Sequence, residues 1–557
     1  MFYVWRINPL VWLLVLVYQT PIHSQVIPRP VTPIPQPTPE VEVLPPLEDI
    51  LPPPSREVTP EIPTIPLEII IEQFEVRGTT VFTSEDLEEI LEPYTNRPLS
   101  FTELLEIQTA ITQLYVDRGY LTSGAFIPPQ SLQDGILIIE VIEGEIEEII
   151  ITGLERLKPE YIRNRIAINT SGPLNQADLL RALQLLQINP LIESLAAELT
   201  RGSQPHLSIL KIDLQENPAF SLALGVDNQQ SPSVGSNRRL LTINHRNLFG
   251  FGDNLYLRYY NTDGSNVIED FSYLFPINPL DGLIGFRFYY SDSELIQEPL
   301  QQLNIDSQSR TYEFIFRQPV FKTPTQELGI GFNLAKEKSE LTISPPTINR
   351  SLRSETNINI FRLSQEYFIR DQRQIFAVFS QFNLATDAYT LNLDGVEGSS
   401  QFVLWRSQAQ YFRNLNNFIS FFSKVEFQLA DSAIPSLEQF ALGGVNRGRG
   451  YPENAILGDN GVFVSLELRF SLVTIPKANF NLQLVSFYEL GHVWNNSDFT
   501  LPISTLASVG VGLNLTAYDR LNAYFYWGIP LNNLTTLGNS LQEDGLYFSV
   551  QYQVLKF

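Results

Sequence analysis

Two short segments, far apart in the chain, each carry a charge in a setting that suits an ion pair. Arg449 lies in Arg447-Gly448-Arg449-Gly450-Tyr451, inside a glycine-rich loop at about residues 440–461. Glu489 lies in Phe487-Tyr488-Glu489-Leu490-Gly491, where apolar and polar residues alternate as on a strand. A guanidinium presents a planar fork that matches a carboxylate. Gly448 and Gly450 let the loop backbone come close to a wall. Glu489 shares a strand face with Asn481, Gln483 and the small Gly491, a face suited to a polar interior. The residues alone fit a second arrangement as well, an exposed loop arginine and a solvated carboxylate, because most ion pairs are weak surface contacts. Tyr451 fits either a packing role beside the pair or that of an ordinary loop aromatic.

Other chemistry finds little support. The 557 residues include no Cys, which excludes disulfides, zinc–thiolate sites and thiol nucleophiles. The four His residues (His23, His206, His245 and His492) are dispersed, and His492 falls on the strand face opposite Glu489. Acidic runs such as Glu85-Asp86 and Glu88-Glu89 read as solvated helix faces, so no metal site, cofactor or enzymatic activity is expected. The glycines around Arg449 match no Walker pattern. A net charge of −24 argues against a nucleic-acid partner, which would require a basic face.

The elements that would position Arg449 and Glu489 follow from changes of texture along the chain. Residues 1–24 read as a signal peptide: Arg6, an apolar run from Leu10 to Tyr18 that is short for a bilayer, and a cleavage site after Ser24. Residues 25–66 are a proline-rich linker that cannot build helix or sheet ladders. Residues 67–144 read as strand, helix, helix, strand, strand. Thr83-Ser84-Glu85-Asp86 and Ser100-Phe101-Thr102-Glu103 open the two helices as capping boxes. Leu104, Ile107, Ile111 and Leu114 share one face of the second helix, and Gly119 ends it. Residues 145–216 repeat the order, with Asn175 capping the second helix.

From residue 217 to 557 helical periodicity is absent. Val462, Val464, Leu466, Leu468 and Phe470 alternate with Phe463, Ser465, Glu467 and Arg469, one face apolar and the other mostly polar, as on strands between lipid and an aqueous lumen. A soluble sandwich alternates similarly. The export signal, and strands long enough to cross a membrane, favour a transmembrane antiparallel β-barrel of about 16 strands, since only helices and closed barrels satisfy every backbone group in lipid. Gly443-Gly444 and Gly458-Asp459-Asn460-Gly461 read as the turns that send the loop in and out. The last strand has Phe548, Val550, Tyr552 and Val554 in phase, with the terminal Phe557 out of step, as a bulge would cause.

The chain from about residue 67 to 557 resembles the outer-membrane transporters of two-partner secretion, the TpsB family, within the superfamily that includes the barrel-assembly insertases. The segment VRGTTVFTSEDLEEIL…ITQLYVDRGYLTSGAFIPPQSLQDGILIIEVIEGEI is similar to that family's first POTRA domain. ALGGVNRGRGYPENAILGDNG resembles its lumenal loop with a Val-Arg-Gly-Tyr signature, and FYELGHVW its Phe-x-Asp-x-Gly strand. Gly448 replaces the signature's Val, which implies looser packing at the loop tip, and Glu489 replaces its Asp. The resemblance implies two POTRA-like domains in the periplasm, a barrel in outer-membrane lipid, and a lumenal loop motif (Gly448, Arg449, Gly450, Tyr451) meeting an inner-wall partner (Phe487, Glu489, Gly491). It implies recognition of an unfolded secreted exoprotein, expected to be β-helical, and its translocation through the barrel. A membrane-protein insertase of the same superfamily and a passive porin or receptor are the competing readings.

Overall fold

The computed structural model describes residues 69–557, apart from 132–134, 345, 347–350, 392–396, 498–500, 535–537 and 539. The expected signal peptide and proline-rich linker lie outside the described residues. Among these residues no helix is long and apolar enough to cross a membrane, a finding that does not bear on crossing by strands. Two compact units divide at Asn217/Pro218.

The first unit holds two α/β domains of one design. In each, a strand ahead of the helices runs parallel to the last, and the last also pairs antiparallel with the strand before it. In the first domain Gln73–Arg77 pairs with Ile136–Ile142, which pairs with Gly124–Phe126. In the second, Glu145–Thr152 pairs with Leu207–Glu216, which pairs with Ile192–Arg201. The helices are α1 (Ser84–Leu91), α2 (Phe101–Asp117), α3 (Pro159–Ala167) and α4 (Gln176–Gln187). The Thr83 and Ser100 side chains accept from the third helical N–H, and Asp86 and Glu103 reach back to the cap backbone, so orphan donors are satisfied at both ends of each exchange. Leu104, Ile107, Ile111 and Tyr115 of α2 are buried in a core shared with Leu137, Ile139 and Val141.

One element departs from the sequence reading. The opening strand is two strands, Ile69–Ile71 and Gln73–Arg77, and Ile69–Ile71 pairs with the short strand Arg97–Leu99. A three-residue strand containing Pro98 has no periodicity to reveal it. The two domains are also stitched head to tail. The Asn175 side chain donates to Arg118 O at 3.0 Å and the Gln176 N–H to Gly119 O at 2.9 Å, so carbonyls left open at the end of α2 are met by the start of α4. Gly119 holds φ +89°, and a side chain there would press on Asn175 at 3.4 Å.

The second unit is a closed barrel of sixteen antiparallel strands among the described residues, from Phe220–Asp227 to Leu546–Lys556. Lateral pairing of every strand leaves no open sheet edge, which is the condition for strands in lipid. Alternation sets two faces. Leu466, Leu468, Tyr488 and Leu490 face out, and Ser465, Glu467, Phe487 and Glu489 are buried inside. The phase slip near the C-terminus has a local cause. Gln553 pairs with Ala223 but Leu555 with Leu222, a bulge that shifts the end of the strand. Phe557 beyond it exchanges backbone hydrogen bonds with Phe220, at 2.8 and 3.1 Å, and the two rings lie 5.0 Å apart.

The stitch between the α/β domains is testable. Asn175→Ala removes a helix cap and an interdomain bond together, and should lower the stability of the 69–217 fragment by about 1–2 kcal/mol in urea titrations. A loss no larger than a few tenths would show that Asn175 caps nothing of consequence.

Candidate functional site: a charged loop inside the barrel

The strand Ile419–Ala430 ends, and the next barrel strand, Asn460–Ile475, begins 30 residues later. The intervening chain folds inward. It is longer than the 440–461 expected from its glycines, because its first limb, which includes the short 3-10 turn Ser436–Glu438, carries no glycine signal. Phe440–Leu442 pairs antiparallel with Ile456–Gly458, which makes the loop a hairpin. Phe440, Leu442, Tyr451 and Ile456 pack on Phe463, Val493 and Leu506 of the inner wall.

Arg449 sits at the tip and is 3% exposed. Its backbone N–H donates to Glu489 Oε2 at 2.7 Å, and its Nε to Glu489 Oε1 at 2.9 Å. Its Nη2 reaches Glu467 Oε1 at 2.7 Å, and the Ser465 hydroxyl completes the set with a bond to Glu489 Oε1 at 3.1 Å. Arg469 binds the other oxygen of Glu467 through two nitrogens at 2.9 and 2.7 Å. Two arginines thus face two glutamates in a row, so the buried charge is balanced. The Arg449 guanidinium also lies 3.6 Å from the centre of the Phe487 ring and 4.9 Å from that of Tyr526.

The tip backbone is held as firmly. The Gly450 N–H donates to the Tyr547 hydroxyl at 3.0 Å, and that hydroxyl donates to Tyr451 O. The Tyr451 hydroxyl donates to Ala507 O at 2.8 Å and accepts from the Asn532 N–H at 3.0 Å. The strand glycine Gly528 makes room for this approach, since a methyl there would lie 2.4 Å from the Arg449 carbonyl carbon. Gly450 meets this wall, with φ +110°, as expected of a close approach. Gly448 does not: at φ +136° it faces Gly443 of the loop itself. Gly491 lies under Leu442 of the hairpin, where a side chain would clash at 2.6 Å.

The turns have different roles from those expected. Gly443 and Gly444 donate within the loop, the Gly443 N–H to Arg447 O at 2.9 Å and the Gly444 N–H to Tyr451 O at 2.8 Å, and so shape the tip rather than the entrance. Asp459 does lie where the loop returns, accepting from the Ile434 N–H at 3.2 Å and from Asn496 N–H at 2.9 Å. Three charged residues were not singled out by sequence: Arg447, which pairs with Glu426; Glu467; and Glu438, which meets Arg362 and Arg406. Glu467 was legible as an inward position of its strand, but its partner is set only by how far the loop reaches.

The ion pair and the apolar contacts do different work. Each fully buried side chain such as Leu442 contributes about 1.5–3 kcal/mol. A buried ion pair yields little net stability against apolar neighbours of the same size, yet removing one partner costs about 3–5 kcal/mol. Apolar burial therefore holds the hairpin in, and Arg449 fixes where its tip sits.

Known proteins agree with this architecture. A family model described as Haemolysin secretion/activation protein ShlB/FhaC/HecB matches residues 206–515, and one described as POTRA domain, ShlB-type, matches residues 69–144. The chain is 23% identical over 475 residues to Outer membrane transporter CdiB of Escherichia coli O6:K15:H31 (strain 536 / UPEC), covering 82% of this chain and 78% of that protein. It is 24% identical over 456 residues to Heme/hemopexin transporter protein HuxB of Haemophilus influenzae, covering 79% of each. The structure of CdiB from Escherichia coli superposes with a TM-score of 0.66 at 20% identity, over 89% of this chain and 93% of that one. BamA from Haemophilus ducreyi lacking POTRA domains 1–3 shares the fold with a TM-score of 0.52 at 15% identity, over 87% of this chain and 100% of that one.

The pairing predicts a double-mutant cycle. Arg449→Ala and Glu489→Ala should each lower the unfolding free energy of the inserted barrel by about 3–5 kcal/mol, and the double variant by clearly less than their sum. Additive losses would mean that the two side chains act independently.

Proposed function

This chain belongs to the haemolysin secretion/activation family and is an outer-membrane transporter of two-partner secretion; we propose that its lumenal hairpin is the gate through which a secreted client must pass. The two α/β domains lie in the periplasm and take up the client while it is still unfolded. A sheet edge can accept an extended strand through backbone hydrogen bonds, a mode tolerant of sequence and suited to such a client. The client then threads through the barrel and folds outside as a β-helix, and that folding supplies the direction of travel. The chain needs no nucleotide and performs no catalysis in this scheme.

The observation that carries the reading is the hairpin tip held against the inner wall by Arg449, Glu489 and Glu467. A balanced buried cluster gives one defined resting position, and a client displaces it by occupying the same lumen. An insertase, by contrast, must part the barrel wall. Here the first and last strands are paired from Ser221↔Lys556 to Asp227↔Ser549, and Phe220 and Phe557 extend the seam. A closed seam favours passage through the lumen.

Two experiments test this. Arg449→Ala should abolish client secretion while the barrel still inserts, scored by heat-modifiable mobility in gels; normal secretion by an inserted variant would remove Arg449 from the gate. A Cys pair at Ala223 and Gln553, neighbours across the seam in a chain with no other Cys, should leave secretion unchanged when oxidised. Secretion stopped by oxidation and restored by reduction would instead favour a lateral route.

A further inference from the structure

The hairpin has a second charged anchor, on a different arc of the wall and on its first limb. Glu438 ends the 3-10 turn Ser436–Glu438, and its side chain is 3% exposed. One of its carboxylate oxygens lies 2.9 Å from Arg362 Nη2, and the other 2.8 Å from Arg406 Nη2. Arg362 is itself held by Glu313 at 2.9 Å and by Glu337 at 2.7 Å. The Glu438 backbone carbonyl accepts from Arg406 at 2.6 Å and from Gln428 at 2.8 Å. These wall residues belong to strands between Ile305 and Ala430, whereas the partners of Arg449 lie on strands between Asn460 and Trp494. The surroundings differ too. Ile434 and Leu437 of the same limb pack on an apolar patch of the inner wall formed by Ile358, Ile360, Phe402 and Leu404. An apolar patch facing a polar lumen is costly to wet, so it favours a permanent cover.

We propose that Glu438 is a positioning residue that anchors the first limb of the hairpin independently of Arg449, so that the gate opens by release of its tip while the first limb stays on the wall. The proposal rests on the hairpin being a gate, but it concerns which part of the loop is fixed and is testable without a client. Arg449 sets the tip; Glu438, clamped between two arginines and flanked by apolar contacts, sets the pivot. The Asp459 carboxylate, which takes the Ile434 N–H and the Gln439 side chain, ties the returning limb to the same pivot.

The test uses the full-length inserted barrel and a small water-soluble thiol reagent. Single reporters are placed by Leu437→Cys on the first limb and Val445→Cys near the tip, in a chain that is otherwise free of Cys. Glu438→Gln should speed labelling at position 437 by about a hundredfold or more, the change expected when buried charges lose a partner, and leave the labelling rate at the half-buried position 445 unchanged. Arg449→Ala should do the reverse. Glu438→Asp, which keeps the charge, should restore most of the protection at 437, which a purely structural loss would not. If Glu438→Gln fails to insert, Arg406→Gln replaces it and should expose 437 in the same sense. Equal exposure of both reporters by either lesion would show a loop that moves as one body and would overturn the proposal, as would unchanged labelling at 437 in the Glu438 and Arg406 variants. Secretion by these same variants bears on the gate itself and is scored separately.

Discussion

A closed sheet in lipid must satisfy every backbone group within itself, and that requirement shapes this molecule more than any other. Closure turns alternate residues inward, and in this chain many of those residues are charged: Arg362, Arg406, Glu467 and Glu489 are among them. Buried charges are tolerated only when paired. The hairpin that fills the lumen supplies further partners, Glu438 for Arg362 and Arg406, and Arg449 for Glu467 and Glu489. At both anchors the hairpin residue meets wall residues of opposite sign. The hairpin cannot slide along the wall without leaving a charge uncompensated.

For the gate proposed here, that pairing distinguishes two kinds of hold on the loop. Apolar contacts of Phe440, Leu442 and Tyr451 provide general adhesion, which weakens gradually as the loop lifts. The ion pairs are all-or-none: a buried pair parted without replacement is strongly unfavourable, and water or a polar client backbone entering the gap relieves the cost.

Much of this was legible in the residues. Both helix starts in the first domain follow from Thr83…Asp86 and Ser100…Glu103, because a capping box is a local exchange of hydrogen bonds that spacing alone reveals. The repeat of two α/β domains and the two-faced strands follow from periodicity. Arg449 in a glycine-rich loop and Glu489 on an alternating strand were recognisable as opposite charges; their residues fitted an exposed arrangement as well, and the structure brings them together. The rest depends on distances no spacing encodes. Glu438 sits in a limb without glycine, on a single turn of 3-10 helix, so neither turn chemistry nor periodicity marks it. The strand Arg97–Leu99 is too short to show a pattern. Gly528, where the tip backbone nearly touches the wall, is an unremarked glycine on an ordinary strand until the loop is folded against it.

The central claim is that the hairpin Asp431–Asp459 occupies the passage of a closed barrel, and electrical conductance measures that most directly. In planar bilayers the intact protein should show low, infrequently opening conductance, and a chain in which this segment is replaced by a short polar turn should show a large, steadily open pore. Equal conductance from the two would mean that the hairpin does not obstruct the lumen.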